Sequence, residues 1–381
     1  MINNILSYPG VILEQIIRSR YFTTIASNPV LATIILVAIV LFWSFPSYDI
    51  AIYTNEMSEN WDSIFLQAKE PFVNHNHLYA HGSHAEKLAF RFVPPVILSI
   101  LHMDNLLAAL LFQFLTLILF YYLLICVLNK LLTDKIKAFL FALPICFVIA
   151  GHVYISDYRG IFDTLALDFL LIAILFRDKI YVIVLLLLAY FTDERALIAS
   201  PAIFLINIFT ANSYENIKST IKSLLYSSNI YLLVSWILYL LIRFSLFLAF
   251  GLSTGTGDIG LFIVQINKTF FTFYIGLEGF IIPFFLTGFF LLKKRIYTFF
   301  ILTVFSFLLI FYAAQSVIDI TRSMSYLILF IILITLLIDK FYVKETSVKI
   351  IAWVIILNIL YDDSFPLLAQ IYRMKFITHT I

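Results

Sequence analysis

The stretch Tyr190-Phe191-Thr192-Asp193-Glu194-Arg195-Ala196-Leu197 places three consecutive ionisable residues between two apolar runs. The run before the triplet, 180–191, has only 12 residues. As an α-helix it is about 18 Å long, against roughly 30 Å of bilayer hydrocarbon. The triplet is therefore expected to lie below the membrane surface, where ionisable groups are costly and usually face a cavity or a partner. The alternative is an ordinary tight loop between two short helices.

The composition is that of a helical membrane protein. Of the 381 residues, 62% are hydrophobic and 13% are charged, and the mean hydropathy is +1.00. A soluble domain carries roughly twice that share of charge. The net charge of +2 gives no sign of a nucleic-acid partner. Cys126 and Cys146 both fall in apolar segments, so neither a disulfide framework nor a thiolate metal site is indicated.

The apolar segments predict an all-α integral membrane protein with about eleven transmembrane helices. The polytopic membrane domain is residues 29–361. Residues 1–28 are predicted to form a cytoplasmic interfacial segment, and residues 362–381 an outer C-terminal tail. The predicted spans lie near residues 29–45, 105–128, 137–152, 161–176, 180–192, 196–210, 229–250, 270–292, 296–315, 322–338 and 348–361.

The basic residues orient these spans. If the N-terminus is cytoplasmic, every cytoplasmic link holds at least two Lys or Arg, as the positive-inside rule expects, and the C-terminus lies outside. The basic residues then assigned to the cytoplasm are Arg18, Arg20, Lys130, Lys135, Lys137, Arg177, Lys179, Lys218, Lys222, Lys293, Lys294, Arg295, Lys340, Lys344 and Lys349.

Arginines recur on the outer face, where the positive-inside rule disfavours them. Two explanations are open: structural ion pairs, worth under about 1 kcal/mol each at a surface, or binding of an anion at the outer leaflet, since an arginine fork fits phosphate oxygens. The outer arginines are Arg91, Arg159, Arg195 and Arg322. The acidic residues that accompany them are Asp157, Asp163, Asp193, Glu194 and Asp319.

Two further charges, Asp168 and Arg243, lie inside predicted spans. Exposure to lipid would be costly for either of them. We expect them to form a mutual buried pair or to line a site.

The outer loop, residues 46–88, contains the candidate general bases. Asp49 follows the first span by only a few residues, so its position is set by the end of that span, which suits a base. Asp62, in Asn60-Trp61-Asp62-Ser63, is the second candidate. The segments 61–70 and 78–88 have enough apolar residues to form short helices that lie on the membrane, and 89–102 is also expected at the interface.

The same loop contains four histidines with asparagine and glycine between them. Imidazoles with nearby carboxylates could bind a divalent metal ion, but the spacing matches no zinc pattern. No cofactor is assigned, and a metal ion is kept as an option. The weak candidate ligands are His75, His77, His81 and His84.

This layout resembles the GT-C superfamily of membrane glycosyltransferases over about residues 29–210, as architecture more than as sequence. The matching pieces are an acid, Asp49 or Asp62, after the first span, the segment Ala89-Phe90-Arg91-Phe92-Val93-Pro94-Pro95, and the charged break at 192–201. The chain departs from better-known members because it lacks a paired-acid signature in the first loop and a large C-terminal soluble domain.

The resemblance implies a multi-pass enzyme of the bacterial cytoplasmic (inner) membrane that works in cell-envelope polysaccharide biosynthesis. It would transfer a sugar from a polyprenyl-phosphate donor to an acceptor glycan, lipid or protein on the non-cytoplasmic face. A carboxylate, Asp49 by preference, would be the base, and arginines would hold the leaving phosphate. The implied substrate- or phosphate-binding set is Arg91, Asp157, Arg159, Asp163, Asp193, Glu194, Arg195, Arg243 and Arg322.

Two other functions stay open. A polysaccharide polymerase or ligase acting on polyprenyl-diphosphate glycans would use the same outer arginines, but it usually has its large outer loop in the second half of the chain. A secondary transporter should show paired halves and broken helices near the midplane. The sequence shows no such pairing.

Overall fold

The protein is described by a computed structural model that covers residues 2–44, 48–53, 58–74, 78, 88–132, 134–156, 160, 162–252, 265–317 and 319–361. These residues form α-helices and short 3₁₀ turns and contain no strand, so the all-α prediction is confirmed. The helices up to residue 175 are α1 (Ile2–Ile17), α2 (Arg20–Ser27), α3 (Pro29–Trp43), α4 (Tyr48–Tyr53), α5 (Ser58–Lys69), α6 (Val93–Ile100), α7 (Leu106–Leu131), α8 (Lys135–Ala142), α9 (Ile149–Ser156) and α10 (Asp163–Leu175). Those after it are α11 (Val182–Thr192), α12 (Arg195–Ala199), α13 (Pro201–Thr210), α14 (Ile217–Ser223), α15 (Ser227–Phe250), α16 (Thr269–Leu277), α17 (Ile281–Lys293), α18 (Tyr297–Gln315), α19 (Ile320–Ser325), α20 (Ile328–Phe341) and α21 (Lys344–Tyr361).

Local sequence sets several helix starts. The Asn28 side chain accepts hydrogen bonds from the backbone N–H of Val30 at 3.0 Å and of Leu31 at 3.2 Å, and Pro29 takes the first helical position of α3. Asn105 caps α7 in the same way by accepting from Ala108 N at 2.9 Å. These caps satisfy backbone donors that the first helical turn leaves free.

Five segments among the described residues are long and apolar enough to cross a membrane, and a sixth is counted if α2 and α3, bent by 103°, form one span. The chain is therefore a helical membrane protein. Other predicted spans correspond to shorter or broken helices, such as α10 with 13 residues and α11 with 11. The count of about eleven stays a prediction. The five segments are Leu106–Leu131, Ser227–Phe250, Ile266–Lys293, Tyr297–Gln315 and Ile320–Phe341.

The helices differ in how much of their surface the protein covers. In the apolar window of Ile320–Phe341, 83% of the residues are buried, so α20 lies at the centre of the bundle. In Ser227–Phe250 only 17% are buried, which makes α15 a peripheral helix with most of its apolar surface available to lipid. The helix α10 packs against both α7 and α11.

The first outer loop contains short helices, as predicted for part of it. The predicted segment 61–70 lies almost entirely in α5, and α5 packs against α6. The predicted segment 78–88 lies mostly outside the described residues. The loop is held to the end of α15 by ring stacking of Phe72 on Phe250, with centroids 5.3 Å apart, and by a hydrogen bond from Asn74 Nδ2 to Gly251 O at 2.8 Å.

A second group of charged and polar contacts lies at the C-terminal ends of α10 and α20. The Lys137 ammonium is paired with Asp339 at the end of α20, and Lys344 Nζ lies 3.5 Å from Asp134 Oδ2. Lys130 donates to the carbonyl oxygen of Leu175, the last residue of α10. These links are the ones that the basic residues assign to the cytoplasm.

Candidate functional site

Four chain segments that the sequence predicts on the outer face come together at one point. Asp163 is the first residue of α10, and Asp193 and Glu194 lie between α11 and α12. Arg195 begins α12, Arg322 lies in α19, and Arg91 precedes α6. We call the six residues Arg91, Asp163, Asp193, Glu194, Arg195 and Arg322 the arginine–carboxylate cluster.

Asp193 contacts all three arginines of the cluster. Its Oδ1 accepts from the backbone N–H of Arg195 at 2.9 Å and from Arg195 Nε at 2.8 Å. Its Oδ2 lies 2.6 Å from Arg195 Nη2, 2.9 Å from Arg91 Nη1 and 3.5 Å from Arg322 Nη2. Asp193 therefore fixes the position of Arg195 and joins the three arginines of the cluster.

Asp163 makes the second junction. Its Oδ1 accepts from Arg195 Nη2 at 3.0 Å and from the Tyr326 hydroxyl at 3.3 Å. Its Oδ2 accepts from Arg322 Nε at 2.6 Å. The Asp163 side chain is only 1% exposed, so this pairing is sealed from water. Removing one partner of such a buried pair costs about 3–5 kcal/mol because the other charge is left uncompensated.

Glu194 and Arg91 form the outer edge of the cluster. Arg91 Nε and Nη2 donate to the two oxygens of Glu194 at 3.0 and 2.7 Å, a bidentate pair. The Glu194 side chain is 35% exposed, against 2% for Asp193. The cluster is therefore graded from a buried interior to an accessible rim.

The pKa values of the link residues follow from this pairing. Burial raises the pKa of the Asp193 carboxyl, but the positive charges of Arg195 and Arg91 lower it by more. The pKa therefore lies well below its usual range. Burial is likewise outweighed at Glu194, whose pKa is lowered by Arg91. Because both pKa values are lowered on folding, these pairs stabilise the protein above about pH 4 and lose that contribution as the pH falls through the folded values.

A small pocket with a cavity volume of about 20 Å³ lies against the rim of the cluster. The polar residues that line it are Gln67, Arg91, Thr192 and Asp193. The remaining lining is apolar or backbone: Ile64, Leu88, Pro94, Pro95, Gly160 and Phe162. Apolar walls with a few polar groups are the usual lining of a ligand site, but this cavity has room for about one water molecule, so a larger ligand requires it to widen.

The pocket is closed on one side by α5. Trp61 is 4% exposed and packs against Phe162, edge to face, with centroids 6.4 Å apart. Gly160 has φ +75°, and a Cβ there would lie 2.5 Å from Ile64 Cδ1. Gln67 Nε2 donates to the carbonyl oxygens of Leu88 at 3.3 Å and Ala89 at 3.2 Å. The first outer loop is thus part of the site.

Neither candidate base, Asp49 or Asp62, is among the described residues that line the pocket. Asp49 lies in α4, and its side chain is outside the described part of the molecule. Asp62 is exposed on α5 and is not one of the residues that line the pocket, whereas Ile64 and Gln67 on the same helix are. The assignment of a base among these two acids stays a prediction.

Other predicted site residues fall outside the described ranges. They are Asp157 and Arg159, and the histidines His75, His77, His81 and His84. Among the residues that are described, no group of three or more His, Cys, Asp or Glu could hold a metal ion.

Arg243 lies against Phe90, next to Arg91, and is not a member of the cluster. Its guanidinium lies over the Phe90 ring, 4.3 Å from the centroid, and its Nη1 donates to the Tyr239 hydroxyl at 2.7 Å. Phe90 directly precedes Arg91. Asp168 is 1% exposed in α10, and neither of its carboxylate oxygens has a hydrogen-bond partner among the described residues.

Sequence reasoning missed two residues of interest. Tyr326 donates to Asp163 and gave no signal, since tyrosine is common throughout the chain. Glu278 lies in the predicted span 270–292, is 7% exposed and has φ +44°, and its Oε1 accepts from Ile149 N at 2.7 Å. A lone acid with Gly276 and Gly279 close by in an apolar segment was the available signal.

No protein-family model, no curated protein and no solved structure matches this chain.

Proposed function

We propose that this protein is a membrane glycosyltransferase with a GT-C-like arrangement of about eleven spans, using a polyprenyl-phosphate sugar as donor. The observation that supports it best is the pocket between the first-loop helix α5 and the arginine–carboxylate cluster. Arg91 lines this pocket, and Asp193 connects Arg91 to Arg195 and Arg322 behind it. The site therefore has a positioned guanidinium at its wall and two more fixed behind it.

Positioned arginines suit this chemistry because charge grows on the phosphate as the sugar leaves. Groups held in place before the reaction stabilise that charge without reorganising. The acceptor hydroxyl needs a carboxylate base, for which Asp49 is preferred and Asp62 second. Transfer would then take place by displacement at the sugar carbon, with the lipid phosphate as leaving group.

The lipid part of the donor needs access from the bilayer. The helix α15 is peripheral and carries exposed apolar side chains, among them Phe244, Phe247 and Leu248. Arg243 lies on the same helix, over Phe90, next to the segment that holds Arg91. A polyprenyl tail along α15 would bring its phosphate towards Arg91, and the pocket, which has room for about one water molecule, would widen to admit the sugar.

The test is transfer of labelled sugar from polyprenyl-phosphate donors by membranes that contain the wild type or a variant. We expect transfer by the wild type and loss of at least about a hundredfold on removing the base, as is typical of general-base catalysis. The variants are Asp49→Asn and Asp62→Asn. The control is Asp104→Asn, an exposed acid between α6 and α7 that should leave transfer unchanged.

Survival of full transfer in both Asp49→Asn and Asp62→Asn would remove them as bases. Elongation of polyprenyl-diphosphate glycans, with no transfer from monophosphate donors, would instead indicate a polymerase or ligase.

A secondary transporter is the second candidate because of Glu278. This buried acid lies within the segment Ile266–Lys293, at a 3₁₀ break between α16 and α17, with a positive φ. Broken helices with an ionisable group at the break are typical of transporter sites. Solute uptake by reconstituted vesicles that Glu278→Gln abolishes, with no sugar transfer, would favour this function.

A further inference from the structure

The arginine–carboxylate cluster contains as many carboxylates as guanidinium groups, and a further carboxylate, that of Asp319, lies 3.7 Å from Arg322 Nη1. Its three guanidinium groups are Arg91, Arg195 and Arg322, and its three carboxylates are Asp163, Asp193 and Glu194. A phosphate that entered while all six remained paired would bring uncompensated negative charge into a largely buried site, which is strongly unfavourable. Binding of an anion therefore requires that one carboxylate give up its arginine.

Glu194 is the carboxylate that can leave. Among the described residues its carboxylate accepts hydrogen bonds from Arg91 alone, and its side chain is 35% exposed. Asp193 is held by a backbone N–H and three arginines, and Asp163 is held by two arginines and Tyr326. A rotation of Glu194 towards water leaves a solvated carboxylate, whereas neither aspartate has such a route.

The edge of Arg91 that Glu194 occupies matches a phosphate. Nε and Nη2 donate in parallel to two oxygens, a geometry that a carboxylate and a phosphate share. The third nitrogen, Nη1, is held by Asp193 at 2.9 Å. Arg91 would therefore keep its position during an exchange, and it already lines the pocket.

We propose that Glu194 is an exchangeable counter-ion that occupies the Nε–Nη2 edge of Arg91 and is displaced there by the phosphate group of the ligand. This inference rests on the proposed function in taking a lipid phosphate as the ligand. Glu194 is then a positioning residue: it holds Arg91 ready and competes with the incoming anion. Removal of its charge with its shape kept should strengthen phosphate binding.

The experiment uses the full-length protein in nanodiscs and measures the dissociation constant for two sugar-free probes. One probe is a short-chain polyprenyl phosphate and the other is inorganic phosphate, so that a lipid ligand can be told from a free anion. We expect Glu194→Gln to bind the polyprenyl phosphate about tenfold more tightly than the wild type, since it loses one competing charge-assisted pair. Inorganic phosphate should bind much more weakly in both proteins.

The matched control is Asp104→Asn, which makes the same change in net charge at an exposed outer position. It should leave both dissociation constants unchanged. If Glu194→Gln does not accumulate, Glu194→Asp decides the question, because the shorter side chain keeps the charge but loosens the bidentate pair and should tighten binding by a smaller factor. In transfer assays, Glu194→Gln should lower the KM for the donor more than it changes kcat.

Equal or weaker binding of polyprenyl phosphate by Glu194→Gln than by wild type and Asp104→Asn would overturn the proposal, as would tight binding that both acid variants share. Failure of the proposed function is distinguished because the probes carry no sugar. If the protein transfers no sugar but Glu194→Gln binds polyprenyl phosphate more tightly, the proposed function fails and the exchange site stands. If the protein transfers sugar but Glu194→Gln binds no more tightly, the exchange site fails and the proposed function stands.

Discussion

At the scale of single residues, the carboxylates of the cluster have different roles. Asp163 and Asp193 connect helices that are far apart in the chain: Asp163 and Arg322 are separated by 159 positions. Glu194 differs from its neighbour Asp193 by pointing to the accessible rim. The three consecutive charged residues thus have three different roles. Asp193 is structural, Glu194 is the exchangeable carboxylate that we propose, and Arg195 binds two aspartates.

Replacement of Asp163 by asparagine should destabilise the protein strongly. The change leaves Arg195 and Arg322 with one compensating buried carboxylate fewer, and we expect a loss of about 3–5 kcal/mol. The measurement is the thermal unfolding midpoint of the purified protein, together with its level in membranes. Asp168→Asn is the control: it lies in the same helix at the same 1% exposure, but its oxygens have no hydrogen-bond partner among the described residues. Equal midpoints for the two variants would contradict the structural importance assigned to Asp163.

At the scale of elements, the shortness of α11 and α12 determines where the charged link between them lies. The helix α11 ends at Thr192, and α12 has only five residues, Arg195–Ala199, before Pro201 begins α13. The link between them is therefore inserted among neighbouring helices instead of emerging beyond them. The close docking of α5 onto Gly160 and Phe162 then covers this link from the side of the first outer loop.

The docking of α5 should depend on the absence of a side chain at residue 160. Gly160→Ala adds a Cβ 2.5 Å from Ile64 Cδ1 at a φ of +75°, so α5 must shift away from the pocket. Gly251→Ala is a matched control, since Gly251 has a similar φ of +64° but nothing within 4 Å of the added atom. Both variants carry the backbone strain, of order 1 kcal/mol, that a left-handed conformation imposes on alanine.

We expect Gly160→Ala to lower the unfolding midpoint more than Gly251→Ala and to weaken polyprenyl-phosphate binding, which Gly251→Ala should leave intact. A binding loss of the same size in both variants would show that the contact between Gly160 and α5 does not shape the site.

At the scale of the whole molecule, charges collect at the two ends of the same helices. One end of α10 holds Asp163 in the cluster, and at the other end the Leu175 carbonyl accepts from Lys130. The segment α19–α20 likewise runs from Arg322 to Asp339, which pairs with Lys137. The residues assigned to the outer face from the distribution of Lys and Arg meet one another, and so do those assigned to the cytoplasm.

This sorting predicts which single cysteines a membrane-impermeant maleimide will reach in intact cells. In a background without Cys126 and Cys146, Asp104→Cys and Lys268→Cys should be labelled from outside. Asp178→Cys and Lys294→Cys should be labelled only after the membrane is opened. All four positions are exposed, so protection reports the side of the membrane rather than burial. Labelling of position 178 in intact cells would contradict the crossing of α10 and the predicted orientation.

Much of this arrangement could be predicted from the sequence, with particular exceptions. The short apolar runs around Asp193 and the recurring outer arginines pointed to a shared site, and the structure brings Arg91, Asp163, Arg195 and Arg322 together. Of the two alternatives for Arg243 and Asp168, the mutual pair is not formed, since Arg243 contacts Phe90 and Tyr239 and the Asp168 oxygens have no hydrogen-bond partner among the described residues, and a role in lining a site stays a prediction. Glu278 was passed over, because a single acid changes the mean hydropathy of a long span very little.

By itself the sequence determined the class of the protein, its helical build and the grouping of charges in short links, because hydropathy and helix length are local properties that add along the chain. Only the tertiary structure decided which carboxylate meets which guanidinium, that every guanidinium of the cluster is paired, and that α5 forms part of the pocket. The partners Arg91 and Glu194 lie 103 positions apart. Their pairing depends on how helices pack and on the cost of burying an unpaired charge, and neither is encoded in any one stretch of the chain.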